Sequence, residues 1–239
     1  MITLGIDTCE ARGSVAVWKD AALAAFQEHA TPEDYSSWLL PAVEECLSKA
    51  GFALRSIDVF SVATGPGSFT GLRVGITAVK AWSELLGKPV VGVSRLEVMA
   101  RTLALREGLV AASFDAQRGQ IFGGLYRANA DGSLKLIEQE MVIGPEDFVR
   151  WVGERAGESP THWVTLDPEL LLKAPAWQQR AERGKSLTLS TNRLAAGVAQ
   201  LGEERALHGQ LTDALHIDAN YVRRSDAEIF WKDPVSDGR

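Results

Sequence analysis

The sequence predicts an α/β protein of two lobes, each built on a mixed sheet. Three observations predict it. A short apolar run ending in aspartate occurs twice, at residues 2–7 with Asp7 and at residues 109–114 followed by Asp115. Each is followed by strand-like runs joined by short polar turns, the pattern of an antiparallel meander. After each meander, segments with helical spacing alternate with short β-branched runs, which are the parts of a layered α/β lobe. The 239 residues suffice for two such lobes. The division falls near Gly108, giving lobes 1–107 and 108–239.

In the first lobe, residues 2–7, 14–18 and 23–28 form the meander, with Lys19 and Asp20 as the turn. Thr31-Pro32-Glu33-Asp34 opens a helix, because threonine caps free amides and proline suits the first helical position. Tyr35, Trp38, Leu39, Ala42, Val43, Cys46 and Leu47 then recur at helical spacing, so the helix spans 32–49 and Gly51 ends it. Pro41 inside it predicts a kink. Residues 57–63 are a buried strand, 68–86 a second helix stopped by Gly87 and Pro89, 90–93 a strand and 96–106 a third helix.

In the second lobe, strands are expected at 109–114, 121–126 and 134–142, the last after the Asp131-Gly132 turn. A helix at 145–154, a strand at 162–166, helical stretches at 168–173 and 176–183, and a helix at 192–207 follow. The tail from about residue 220 has few periodic cues and is expected to pack back on the first lobe.

Composition narrows the function. Hydrophobic residues make up 46% and charged residues 23%, the balance of a globular chain. The formal charge of −6 argues against a stand-alone nucleic-acid binder. Cys9 and Cys46 form no C-x-x-C pair, so neither a disulfide nor a zinc framework is expected, and a reducing cytoplasm is. No apolar run approaches the ~18 residues of a membrane helix. The start carries no basic segment ahead of an apolar run, so no leader is expected.

The most informative segment is Gly65-Pro66-Gly67-Ser68-Phe69-Thr70-Gly71-Leu72-Arg73-Val74-Gly75, which joins a strand to a helix. It fails the Walker A spacing and the dinucleotide fingerprint. Two readings stand: a tight turn in which Ser68 or Thr70 caps the helix, or an anion site at the helix N-terminus. In the helix beyond it, Arg73, Thr77, Lys80 and Glu84 share one narrow stripe, and the other positions are apolar or small. The apolar arc covers roughly two thirds of the circumference, more than the ~100° stripe that one core face needs. The helix is therefore either central in its own chain or part of a protein–protein interface. Gly71 and Gly75 admit close approach of another backbone.

Catalytic patterns are missing. His29, His162, His208 and His216 include no pair three to five residues apart, and no Gly-x-Ser-x-Gly elbow occurs. No catalytic residue and no metal ligand is assigned. Asp7 and Asp115 remain. At the carboxyl ends of their strands they would face an interlobe cleft, where carboxylates can orient a metal-bound phosphate. Alternatively, Asp7 caps the Cys9–Gly13 turn and Asp115 pairs with Arg118.

Asp7-Thr8, Leu39-Leu40-Pro41, the Gly65–Gly75 run, Gly92-Val93-Ser94, Asp115-Ala116-x-Arg118-Gly119 and Tyr221-x-Arg223 occur in an order that resembles the TsaB (YeaZ) family. The resemblance implies an actin-like, Hsp70-like ATPase-core fold of two ribonuclease-H-like lobes. It also implies a non-catalytic subunit that pairs with a TsaD-like catalytic subunit carrying the metal and active site. With a TsaE-like ATPase, such a complex moves threonylcarbamoyl from threonylcarbamoyl-AMP to the adenosine 3′ of the tRNA anticodon. ATP and magnesium are then used by the complex, and no cofactor is assigned to this chain. In TsaD the metal histidines are spaced H-x-x-x-H on the equivalent first helix. The corresponding residues Tyr35 to Leu39 include none.

The family's dimer surface maps onto helices 32–49 and 68–86. The expected anchors are Trp38, Leu72, Ile76, Val79 and Trp82, with Arg73 at the edge. Asp7, Thr8, Gly67, Ser68, Thr70 and Asp115 are the residues for any surviving anion or nucleotide contact. Homodimerisation through the same helices is expected when the partner is absent, and tRNA is reached through the complex. Arg223, Arg224 and Lys232 are the basic residues near the end that either touch RNA or are simply solvated. Two other readings compete: an autonomous ATPase or kinase using Asp7 and Asp115, and a glycoprotease, for which no nucleophile–base set is present.

Overall fold

The structure, a computed structural model, describes residues 1–10, 12–29, 34–180, 186–191 and 193–223. The first sheet holds β1 (Ile2–Asp7), β2 (Ser14–Lys19), β3 (Ala22–Glu28), β4 (Val59–Gly65) and β5 (Val90–Ser94) in the order β3-β2-β1-β4-β5. β1 pairs antiparallel with β2 and parallel with β4. The second sheet holds β6 (Leu109–Asp115), β7 (Ile121–Ala128), β8 (Leu134–Leu136), β9 (Met141–Ile143), β10 (Thr161–Thr165) and β11 (Ser186–Leu189). Its order is β8-β7-β6-β10-β11, with β9 also on β7. The two sheets repeat one topology: an antiparallel meander whose first strand pairs parallel with the first strand after the crossover, which pairs parallel with the next.

Alternation along the strands decides what each face accepts. In the first sheet, Leu4, Ile6, Val15, Val17, Phe60 and Val62 pack beneath α1 (Tyr35–Ala50) and α2 (Phe69–Leu86). The opposite face carries small or hydroxyl residues: Thr3, Gly5, Ser14, Ala16 and Ser61. That face receives α7 (Ala195–Leu207), the last helix among the described residues. The Ser61 hydroxyl donates to the Val198 carbonyl (2.7 Å), the Ala195 amide to Ser14 Oγ (3.1 Å) and the Trp18 indole to Glu203 (3.0 Å).

The exchange is reciprocal. α3 (Arg95–Arg101) follows β5 of the first sheet but packs against β6 and β7 of the second. The layers therefore run α1 and α2, first sheet, α3 and α7, second sheet, and then α4 (Pro145–Ala156), α5 (Pro168–Leu172) and α6 (Pro175–Gln178). One buried cluster joins Ala63 and Val93 of the first sheet to Val110, Phe114 and Tyr126 of the second through Leu96, Met99 and Val198. The sheets divide near Gly108 by chain order; the helices do not, because α3 of the first half packs on the second sheet and α7 of the second half packs on the first.

Several boundaries differ from expectation. The predicted start at Thr31 and Pro32 lies outside the described residues; Asp34 is the N-cap, and the helix continues through Pro41. α3 ends at Arg101, five residues short of expectation, where Thr102 turns its hydroxyl onto Met99 and Ala104 takes a positive φ of 49°. The run 134–142 is two strands on opposite stretches of β7, with a bend between them. That bend turns Glu140 inward, where Ser94, Tyr126 and Asn220 donate to it. β11 was not expected, since its four residues are too few for a clear period. Asn192 and residues 181–183, expected to be helical, lie outside the described residues.

Candidate functional site

Two features lie close together: a cleft between the lobes and, on the first lobe, a groove between α1 and α2. The cleft, about 700 Å³, opens between the turn after β1, the loop before α2, the turn after β6 and residues 220–223. Of the two strand-end aspartates, Asp115 lines it, while Asp7 is buried beneath Cys9 and Glu10, which do; each aspartate caps its own turn. The Cys9 amide donates to Asp7 Oδ1 (3.0 Å), and the Gln117 amide donates to Asp115 Oδ1 (2.7 Å). The Gln117 side-chain amide takes the other Asp115 oxygen (3.0 Å).

The carboxylates differ in what neutralises them. Asp7 is fully buried, and Arg95 Nε donates to its Oδ2 at 3.1 Å. Arg95 Nη1 lies 3.4 Å from Glu10 Oε1, and the guanidinium stands 4.8 Å over the Phe114 ring. Burial works to lower the Arg95 pKa, but Asp7 and Glu10 outweigh it and hold the net value above the ordinary one. Burial raises the Glu10 carboxyl, while Arg95 opposes the rise. Cys9 is fully buried, and burial pushes its thiol well up, away from the thiolate form.

Of the other residues proposed for an anion, Thr8 and Ser68 are committed to the fold. The Thr8 hydroxyl donates to the Gly71 carbonyl (2.7 Å) and points into α2. The Ser68 amide donates to the Cys9 carbonyl (2.6 Å), and Ser68 Oγ accepts from Gly71 as the helix cap. Gly67 lines the cleft, and Thr70 is exposed on the groove side. A metal-bound phosphate would need the Asp7 carboxylate and the loop amides. Arg95 holds the first and Cys9 takes one of the second, so these residues do not fit such a group. Among the described residues no set of three histidine, cysteine or acidic side chains is placed to hold a metal ion.

The groove, about 770 Å³, is lined by Leu40 of α1 and by Phe69, Arg73, Val74, Ala78 and Ala81 of α2. The structure corrects the expected anchors here. Leu72, Ile76 and Val79 are buried in the chain's own core at 2%, 6% and 0% exposure. Gly71 and Gly75 do admit a close approach, but that of Thr8: a Cβ on Gly71 would stand 2.0 Å from the Thr8 carbonyl oxygen. Trp82 is mostly buried, with one edge on the groove. Trp38 is half-buried against His29 and Tyr35. Arg73 is exposed and stacks 3.8 Å over Phe69, with its Nε donating to the Tyr221 hydroxyl at 3.3 Å.

A family model for TsaD, tRNA N6-adenosine threonylcarbamoyltransferase, matches residues 29–160, more than half of the chain. The chain is 32% identical over 240 residues to the tRNA threonylcarbamoyladenosine biosynthesis protein TsaB of Escherichia coli K12, covering 97% of each. The chain belongs to the TsaB (YeaZ) family. Among solved structures, YeaZ from Pseudomonas aeruginosa superposes with a TM-score of 0.75 at 26% identity, over 92% of this chain and 99% of that one. The ROK hexokinase of Thermus thermophilus superposes at 0.50 with 13% identity, over 88% and 99%. The second likeness concerns the fold alone, which is the actin-like ATPase core. Tyr35, the first residue of α1, donates its hydroxyl to the Glu10 carbonyl.

Sequence reasoning missed Arg95 as the group that holds Asp7, and Glu10 as the second carboxylate on the same guanidinium. One signal was present. Arg95 is the first residue of α3, where the helix dipole favours acids, so an arginine there implies a specific carboxylate partner. Leu40 and Ala81 were missed as groove residues because helical spacing alone does not say which apolar face is left over. The basic residue Arg223 donates to the Ala116 carbonyl (2.6 Å) and to Gln120. Arg224 and Lys232 lie outside the described residues.

Proposed function

We propose that this chain is a non-catalytic scaffold subunit in tRNA threonylcarbamoyladenosine biosynthesis. It docks a TsaD-like catalytic subunit through the groove between α1 and α2 and works with a TsaE-like ATPase. The complex transfers threonylcarbamoyl from threonylcarbamoyl-AMP to the adenosine 3′ of the anticodon. ATP, magnesium and tRNA are engaged by the complex, in the cytoplasm.

The observation that carries this reading is the groove itself. It is apolar and open, it is lined by Leu40 at 58% exposure and Phe69 at 37%, and it carries one exposed cation in Arg73. Apolar surface concentrated between two helices is where partner helices anchor. Family membership supports the partner's identity. The reading as an autonomous kinase requires a free Asp7 carboxylate, which Arg95 already holds. When the partner is absent, the same groove supports self-association.

The test is co-purification with a TsaD-like subunit, followed by assay of threonylcarbamoyl transfer to tRNA. The isolated chain is expected to be inactive, and the pair with the ATPase active. Calorimetry of the isolated chain with ATP and magnesium is expected to give no binding heat. Micromolar binding abolished by Asp7→Asn would overturn the scaffold reading in favour of the kinase.

A further inference from the structure

We propose that Arg95 is a built-in cation that holds the two lobes together at the place where two-lobed nucleotide-binding proteins take a metal-bound phosphate. The side chain opens α3, the helix that leaves the first sheet for the second. It is fully buried and touches both sides of the seam: Asp7 at the end of β1, Glu10 in the turn beyond, and Phe114 near the end of β6. Neither Nη atom has a hydrogen-bond partner of good geometry among the described residues, so its ties are the hydrogen bond to Asp7, the ion pair with Glu10 and its stacking on Phe114.

A divalent ion and a guanidinium are two ways to neutralise clustered carboxylates. The ion comes and goes with its ligand, whereas the guanidinium is part of the chain. With Asp7, Glu10 and the nearby Asp167 sharing one seam, Arg95 supplies the counter-charge permanently. Lobe closure in this protein therefore does not wait for a ligand, and the groove on the first lobe stays on a body of constant shape. This holds whatever occupies the groove.

The experiment is thermal unfolding of the full chain with and without millimolar magnesium chloride, for wild type, R95A, and the double variant with Asp7→Asn and Arg95→Met. Removing one partner of a buried pair is expected to lower the Tm of R95A by roughly 10 °C. Magnesium is expected to restore part of that loss in R95A, because the carboxylates there lack a cation, and to leave wild type and the double variant unmoved. The double variant is expected to melt above R95A, since no buried charge is left alone. An R95A Tm within roughly 1 °C of wild type would overturn the proposal. So would an R95A that folds and ignores magnesium. If R95A fails to fold, a folded double variant supports the proposal, and a double variant equally lost assigns Arg95 to packing alone.

Discussion

Thr8 and Gly71 meet backbone to backbone. The Thr8 hydroxyl donates to the Gly71 carbonyl at 2.7 Å, and a methyl group on Gly71 would come within 2.0 Å of the Thr8 carbonyl oxygen. The obstacle is main chain on both sides, so no rotamer change relieves it. Gly71→Ala is expected to lose about 3 kcal/mol or more of stability, since α2 must back away from the turn after β1. Urea unfolding with both fluorescence and circular dichroism checks this.

The two faces of α2 separate under substitution by aspartate. Ile76 and Val79 are inside the core, and a lone carboxylate there is expected to cost more than about 4 kcal/mol, enough to prevent folding. Ala81 and Leu40 are exposed on the groove. Ala81→Asp and Leu40→Asp are expected to keep wild-type unfolding curves within about 0.5 kcal/mol and to abolish co-elution with the partner. Co-elution retained in both would remove the groove as the docking face.

Glu140 lends the fold a pH dependence of definite sign. Burial raises its pKa above the ordinary carboxylate value, against the hydrogen bonds from Ser94, Tyr126 and Asn220. Between the unfolded and the folded pKa the native state holds more protons than the unfolded chain. Stability therefore falls as pH rises through that window. Glu140→Gln is expected to flatten part of this slope, read as the wild-type minus variant difference in urea midpoint between pH 4 and pH 7. A difference that grows in the opposite direction contradicts the assignment.

Helix exchange predicts that the halves do not fold alone. A fragment of residues 1–107 leaves Thr3, Gly5, Ser14, Ala16 and Ser61 without α7, which otherwise lies close enough for a Cβ on Gly5 to stand 2.4 Å from the Ala195 carbonyl. It also leaves α3 without the second sheet. The fragment is expected to be unfolded or aggregated by circular dichroism, and mixing with residues 108–239 is expected to restore structure. A cooperative melt of 1–107 alone would contradict this.

Much of the fold was legible because it is local. Strand alternation, the Ser68 cap, the stops at Gly51 and Gly87 and the repeated strand ending in aspartate are all written within a few residues of chain. Missing catalytic patterns and the quoted motifs pointed to the family in the same way. Misses came where the deciding contact is distant. The inward face of α2 could not be chosen when the helix is apolar over most of its girth, and α3 ends where no glycine or proline marks the end.

The sequence by itself determined the two-lobed α/β class and the two helices that flank the groove, since short-range periodicity and spacing specify these, and the quoted motifs carried the resemblance to the family. Only the tertiary structure decided that Leu72, Ile76 and Val79 turn inward and that α3 and α7 trade sheets. It also decided that Asp7 is held by an arginine 88 residues away. The physical reason is that a helix face or a carboxylate acquires its role from whichever layer or counter-charge packs against it. Those partners are brought together by folding, at separations over which the pattern of the chain carries no phase.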